Sequence, residues 1–141
     1  MKKGIFLAFI LLALVACQDQ VQQLSGTYSY KISGQAIVDG DTVGLLNEVG
    51  AMDILRVSSE SAIFTFNALT GPAYYATAHF VGKTISFGGY QRTINVGAKE
   101  YTVQGEAEGK AYDETLLFTL RYYNEDQTFV ADSLILLCKK N

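Results

Sequence analysis

Residues 115–123, TLLFTLRYY, and residues 129–137, FVADSLILL, are the two most regular β-strand patterns of the chain. A short polar segment that includes residues 124–127, NEDQ, separates them and is typical of a turn between antiparallel strands. Successive side chains of a strand point to opposite faces, so the first stretch presents two sets. One set, which contains Arg121, mixes polar and apolar side chains. The uniformly apolar set is predicted to face the interior: Leu116, Phe118, Leu120 and Tyr122.

The same two-residue alternation recurs upstream in short segments that are rich in Tyr, Phe, Val, Ile and Thr. Polar or glycine-containing turns separate these segments, which gives eight to ten strands and indicates a β-barrel or a β-sandwich. Helical patterns are weak, and only residues 43–49 could form a turn or two of helix. Several glycines lie near or inside the strands, where they allow the bends that closure of a sheet requires. We therefore predict an all-β fold, a small antiparallel up-and-down barrel of about eight strands, with a sandwich as the alternative.

The length and charge of the chain narrow the functional classes. A chain of 141 residues suits one domain, and no internal repeat or second domain is visible. The hydrophobic fraction of 49% excludes disorder as a description of the whole chain. The net charge of −3 argues against a nucleic-acid partner, since such a protein needs a basic surface.

The N-terminus has the pattern of an export signal. Lys2 and Lys3 precede an uncharged apolar run, residues 5–16, which is shorter than the ~20 residues that a membrane-spanning helix needs. The run ends in Leu14-Val15-Ala16 directly before Cys17. This sequence resembles the bacterial lipobox, which implies cleavage before Cys17 and attachment of lipid to that cysteine.

These features predict three segments: a lipoprotein signal peptide over residues 1–16, the lipidated cysteine with a polar tether over residues 17–23, and a β-barrel domain over residues 24–141. Two or three acyl chains anchor a protein stably where one does not. We expect a lipid-anchored protein of the bacterial cell envelope. Gln18, rather than Asp, follows the cysteine and favours the outer membrane.

The start of the barrel domain resembles a known family. Gly26-Thr27-Tyr28 is similar to the G-x-[WY] opening of lipocalin-like and calycin-like barrels, although Tyr stands in place of Trp. The resemblance implies that Tyr28 packs at one end of the barrel and that Arg121, on the penultimate strand, covers its ring. It also implies a small apolar or amphipathic ligand in the barrel.

Catalytic and metal-binding patterns are weak throughout the chain. His79 is the one histidine, which removes most triads and zinc sites. Cys138 lies in an apolar run and is predicted to be a buried, inert thiol. We therefore expect no enzyme activity, no catalytic residues, no metal and no cofactor.

The predicted function is the binding of a small apolar or amphipathic ligand. On the strand that begins at Tyr101, the inward set ends in the small residues Gly105 and Ala107, which are predicted to leave unfilled volume. The predicted ligand contacts are Tyr101, Val103, Phe118, Leu120 and Tyr122. The alternative is an interaction module that contacts an envelope protein or a glycan through its outer surface, because the nine tyrosines also suit such recognition.

Overall fold

The computed structural model describes residues 19–141, apart from the side chains of Leu45 and Leu46. The predicted signal peptide and the predicted lipidation at Cys17 lie outside the described residues. One short helix, α1 (Gln20–Leu24), precedes eight strands. The strands are β1 (Gly26–Val38), β2 (Asp41–Ser58), β3 (Ser61–Ala68), β4 (Tyr74–Val81), β5 (Thr84–Val96), β6 (Lys99–Tyr112), β7 (Thr115–Tyr123) and β8 (Phe129–Lys140).

The eight strands form a closed antiparallel barrel with up-and-down topology, as the sequence predicts. Each strand pairs with the next, and β8 pairs with β1, where Tyr30 lies opposite Cys138. A sandwich is excluded because this last pairing joins the two edges of one sheet. The alternation of apolar side chains explains the inner face, since the fully buried side chains among the described residues are hydrophobic, and the charged residues Glu48 and Arg92 are only partly buried.

Two predicted elements differ from the structure. Residues 43–49 belong to strand β2 and are not helical, because β1 pairs with them, for example Gln35 with Gly44. The segments predicted on either side of Gly88-Gly89 form one strand, β5, with an irregularity between Gly88 and Tyr90. Gly89 has φ +70°, a conformation that glycine adopts without strain, so the strand bends there and continues.

Helix α1 covers one end of the barrel, and we call this end the α1 end. Its residues Val21 and Leu24 are buried against the barrel core, and the Tyr28 hydroxyl donates a hydrogen bond of 2.8 Å to the Leu24 carbonyl. Asp19 caps the helix through the Gln22 amide. The structure therefore differs from the predicted polar tether, since residues 20–23 are part of a packed helix. Among the described residues, no helix is long and apolar enough to cross a membrane.

The up-and-down topology places the turns at two ends. The turns β2–β3, β4–β5 and β6–β7 lie at the α1 end, where β1 begins and β8 finishes. The other four turns lie at the opposite end.

Candidate functional site

The predicted ligand contacts all face the barrel interior. The inward set of β7 is buried as predicted, and Tyr101 and Val103 of β6 are buried as well. Phe118 packs edge-on against Phe64 and Phe87, so these side chains belong to a continuous aromatic core. The structure brings these residues into one core, and their role as ligand contacts stays a prediction.

The sequence predicted unfilled volume beside Gly105, and the structure shows that this prediction is wrong. A Cβ added at Gly105 would lie 2.3 Å from Cζ of Tyr90, because the Tyr90 ring of β5 occupies that space. Gly105 and Tyr90 are opposite each other on neighbouring strands. The missing side chain of one residue is therefore compensated by the ring of the other, as close packing of protein interiors requires.

The predicted pairing of Tyr28 with Arg121 is wrong. Tyr28 is buried inside the α1 end, and the cation near its ring is Lys140, with Nζ 5.9 Å from the ring centroid. Arg121 lies on the outer face of β7, where it donates hydrogen bonds to Asp132 and Glu106. Residues 120 and 122 are buried, so strand alternation directs the Arg121 side chain outward.

A charged pair inside the barrel forms the centre of the candidate site. Arg92 of β5 donates to Glu48 of β2, with Nη2 2.5 Å from Oε2. The side chains are only 12% and 9% exposed, respectively. The other carboxylate oxygen, Oε1, accepts hydrogen bonds from the Tyr30 and Tyr74 hydroxyls at 2.8 and 2.7 Å. Glu48 therefore has a partner on each oxygen, which a buried carboxylate requires.

Aromatic rings surround the guanidinium of Arg92. Its Cζ lies 4.0 Å from the centroid of the Tyr74 ring and 5.6 Å from that of Tyr122. Nη1 donates to the Tyr122 hydroxyl at 3.3 Å, and the Tyr90 hydroxyl is 3.1 Å from the same oxygen. Nε of Arg92 is buried without a hydrogen-bond partner. The pair thus holds two tyrosine rings in place, and one donor of the arginine is left unsatisfied.

The electrostatics favour the charged forms of the pair. Burial raises the pKa of Glu48, but the hydrogen bonds and charge of Arg92, with the bonds from Tyr74 and Tyr30, outweigh it and leave this pKa below its ordinary value. Burial lowers the pKa of Arg92, and the surrounding tyrosines and Glu48 more than reverse that effect. Burial raises the pKa of the Tyr74 and Tyr90 hydroxyls, which keeps them protonated donors. The site therefore carries one positive and one negative charge at neutral pH.

A cleft opens beside this pair, where β4 and β5 separate. The two strands pair only between residues 78–81 and 84–87, so β4 runs unpaired with β5 from Tyr74 to Thr77. The cleft has a volume of about 510 Å³ and is lined by residues 73–77 and 88–91. The Tyr74 and Tyr90 rings stack across the gap, with centroids 5.9 Å apart and planes within 10°. Side chains thus replace main-chain hydrogen bonds at this point of the barrel wall.

Sequence reasoning missed Glu48 and Arg92. The signal for Arg92 was present, since it shares its strand face with the apolar residues Tyr90 and Ile94. A charged residue on an otherwise apolar face indicates a buried partner. Glu48 lay in the segment predicted as helical, so its inward direction was not visible.

Neither a metal site in the described part of the chain nor a match to a known protein accompanies this geometry. Among residues 19–141, no group of three or more His, Cys, Asp or Glu side chains could hold a metal ion. No protein-family model, no curated protein and no solved structure matches the chain.

Proposed function

We propose that this chain is a lipid-anchored protein of the bacterial cell envelope, with lipid on Cys17, that binds a small amphipathic ligand and does not transform it. The observation that carries the binding proposal is the cleft between β4 and β5. Its volume of about 510 Å³ is in the range of small-molecule sites. The interior beneath it is packed, so the ligand lies in the barrel wall rather than in the centre.

The cleft combines an apolar wall with polar groups. The Tyr74 and Tyr90 rings supply the wall, and the bond from the Tyr74 hydroxyl to Glu48 fixes one of them. Gln91 and the main chain of β5 lie on the same cleft and offer hydrogen bonds to a polar head. Because these side chains are held in place before binding, less conformational entropy is lost when the ligand binds.

Calorimetric titration with oleate, below its critical micelle concentration, tests this proposal. Ala73→Trp places a ring in the cleft, and we expect it to weaken binding about tenfold or more, which corresponds to ~1.4 kcal/mol. Ala98→Trp is the matched control, because Ala98 is also an exposed alanine, in the β5–β6 turn at the same end. Equal affinities of the two variants for oleate, or no binding of oleate to the unaltered protein, would contradict the proposal that the cleft binds the ligand.

A third variant separates the cleft from the barrel centre. Tyr101 is buried in the core, its hydroxyl donates to Asp39 of the β1–β2 turn at 2.6 Å, and neither residue lines the cleft. Tyr101→Ala should therefore leave oleate affinity unchanged if the ligand lies in the cleft. Weaker binding by this variant, with Ala73→Trp unaffected, would instead place the ligand in the barrel centre.

The unpaired strands also favour a second candidate, an interaction module. In the described part of the chain, no strand pairs with β4 over Tyr74–Thr77 on its β5 side, so main-chain groups are available there. An extended peptide of a partner protein could add to such an edge. Loss of peptide binding in Ala73→Trp, combined with no binding of oleate, would favour this candidate over the first.

The lipid anchor has its own test. Mass spectrometry of the protein extracted from membranes should find an N-terminal peptide that begins at Cys17 and carries acyl mass. Cys17→Ser should abolish that mass and the membrane attachment. A soluble, unmodified protein that begins at another residue would refute the proposed anchor and would leave the proposal of ligand binding in the cleft unaffected.

A further inference from the structure

Large apolar side chains are exposed on three successive hairpins at the α1 end of the barrel. Val57 precedes the β2–β3 turn, Val81 precedes the β4–β5 turn, and Tyr112 precedes the β6–β7 turn. Each is more than half exposed, as is Leu55 on the same strand as Val57. Hairpin tips are ordinarily polar, so this rim suits contact with an apolar or interfacial environment.

The exposure of apolar side chains does not by itself show which end of the barrel makes such a contact. Leu69, in the β3–β4 connection at the opposite end, is 78% exposed, compared with 76% for Val81. The position of the N-terminal segment distinguishes the two ends. Asp19 forms an ion pair with Arg56, with Oδ2 2.6 Å from Nη2, and Arg56 lies two residues before the end of β2. The described chain therefore begins at the α1 end.

The distance from Asp19 to the proposed lipid is short. Cys17 is two residues before Asp19, and two residues span at most ~7 Å of extended chain. A lipid on Cys17 would therefore hold the α1 end next to the bilayer surface, whatever the conformation of the chain between Cys17 and Asp19.

We propose that the α1 end rests on the phospholipid surface in which the Cys17 lipid is inserted, with Val57, Val81 and Tyr112 in the interfacial region. This inference rests on the proposed lipid anchor. Tyr is favoured at membrane interfaces because its ring is apolar and its hydroxyl reaches water.

The turns at the α1 end carry charges of both signs, which suits contact with a lipid surface that has no net charge. Lys83 lies in the β4–β5 turn, whereas Glu60 lies in the β2–β3 turn and Asp113 and Glu114 lie in the β6–β7 turn. Because the rim mixes both signs, apolar contact rather than attraction to anionic lipid drives the orientation. Glu48, Arg92 and the cleft at Tyr74 then lie toward the end of the barrel that is away from the membrane.

Tryptophan scanning tests this orientation, since the chain has no tryptophan of its own. The full protein, extracted with its lipid, is reconstituted into phosphatidylcholine vesicles with or without brominated acyl chains. The tryptophan fluorescence of Val81→Trp and Tyr112→Trp should be quenched in the brominated vesicles. In both kinds of vesicle its emission maximum should lie at a shorter wavelength than that of a water-exposed tryptophan. Leu69→Trp is the matched control and should keep its emission, because it has the exposure of Val81 at the opposite end.

The outcomes separate this inference from the anchor. Mass spectrometry of the same preparation reports acyl mass at Cys17. Without acyl mass, the anchor fails, and the orientation fails with it. With acyl mass present, quenching of Leu69→Trp, or equal emission of all three variants in both kinds of vesicle, would overturn the orientation alone.

Discussion

Arg92 and Glu48 form an ion pair inside the barrel, with Nη2 2.5 Å from Oε2 and both side chains about nine-tenths buried. The two residues come from β5 and β2, which are not neighbours in the sheet, so the pair crosses the interior. The Tyr30 and Tyr74 hydroxyls donate to Oε1, the carboxylate oxygen that Arg92 does not bind. Buried pairs of this kind contribute little net stability as a unit, but breaking one is costly.

Removal of the acidic partner is therefore expected to destabilise the barrel strongly. Glu48→Gln leaves Arg92 buried without a counter-charge and should reduce the free energy of unfolding by about 3–5 kcal/mol, measured by urea denaturation. Glu106→Gln is the control, because Glu106 pairs with Arg121 on the surface, where the two side chains are 49% and 45% exposed. That change should alter stability by less than ~1 kcal/mol. Similar losses in both variants would show that the Glu48 pair is not effectively buried.

The same carboxylate makes stability depend on pH. The folded state holds the pKa of Glu48 below its ordinary value of 4.5, so the deprotonated form stabilises the fold. This contribution is fully present above pH 4.5 and is lost as the pH falls through the folded pKa. The difference in unfolding free energy between the unaltered protein and Glu48→Gln should therefore be constant from pH 7 to 5 and shrink in more acidic solution. A difference that grows on acidification would reverse the assigned sign.

The close fit of Tyr90 over Gly105 predicts sensitivity to one methyl group. Gly105→Ala places a Cβ 2.3 Å from Cζ of the Tyr90 ring, so the ring must move and stability should fall by about 1–3 kcal/mol. Gly44→Ala is the control, because a Cβ there meets no atom within 4 Å. Thermal unfolding followed by circular dichroism compares the two. An unchanged melting temperature for Gly105→Ala would mean that unfilled volume does exist beside this residue.

Cys138 is expected to be unreactive in the folded protein. Its thiol is fully buried, and burial raises its pKa to about 12, so almost none is thiolate at neutral pH. In the Cys17→Ser variant it is the single thiol of the chain, and its reaction with a disulfide reagent should be slow in buffer and fast in urea. Equal rates in both solvents would indicate that β8 opens readily from β1 and β7.

The sequence by itself determined the all-β class, most of the strands and the inner face of β7, whereas the β8–β1 pairing decided between barrel and sandwich. Alternation with period two is a local property, so Leu116, Phe118, Leu120 and Tyr122 could be assigned inward without any knowledge of their partners. Local patterns were misleading where a partner strand decides the outcome. Residues 43–49 contain glycine and apolar residues without a strand pattern, yet β1 pairs with them and makes them a strand.

Only the tertiary structure decided which side chains meet across the interior. The filling of the space at Gly105 by Tyr90 and the pairing of Glu48 with Arg92 both depend on register and closure. Closure of the barrel brings together residues that are 44 positions apart in the chain. No periodicity along one strand encodes such a contact, because it is set by the stagger between strands and by the volume that each side chain must fill.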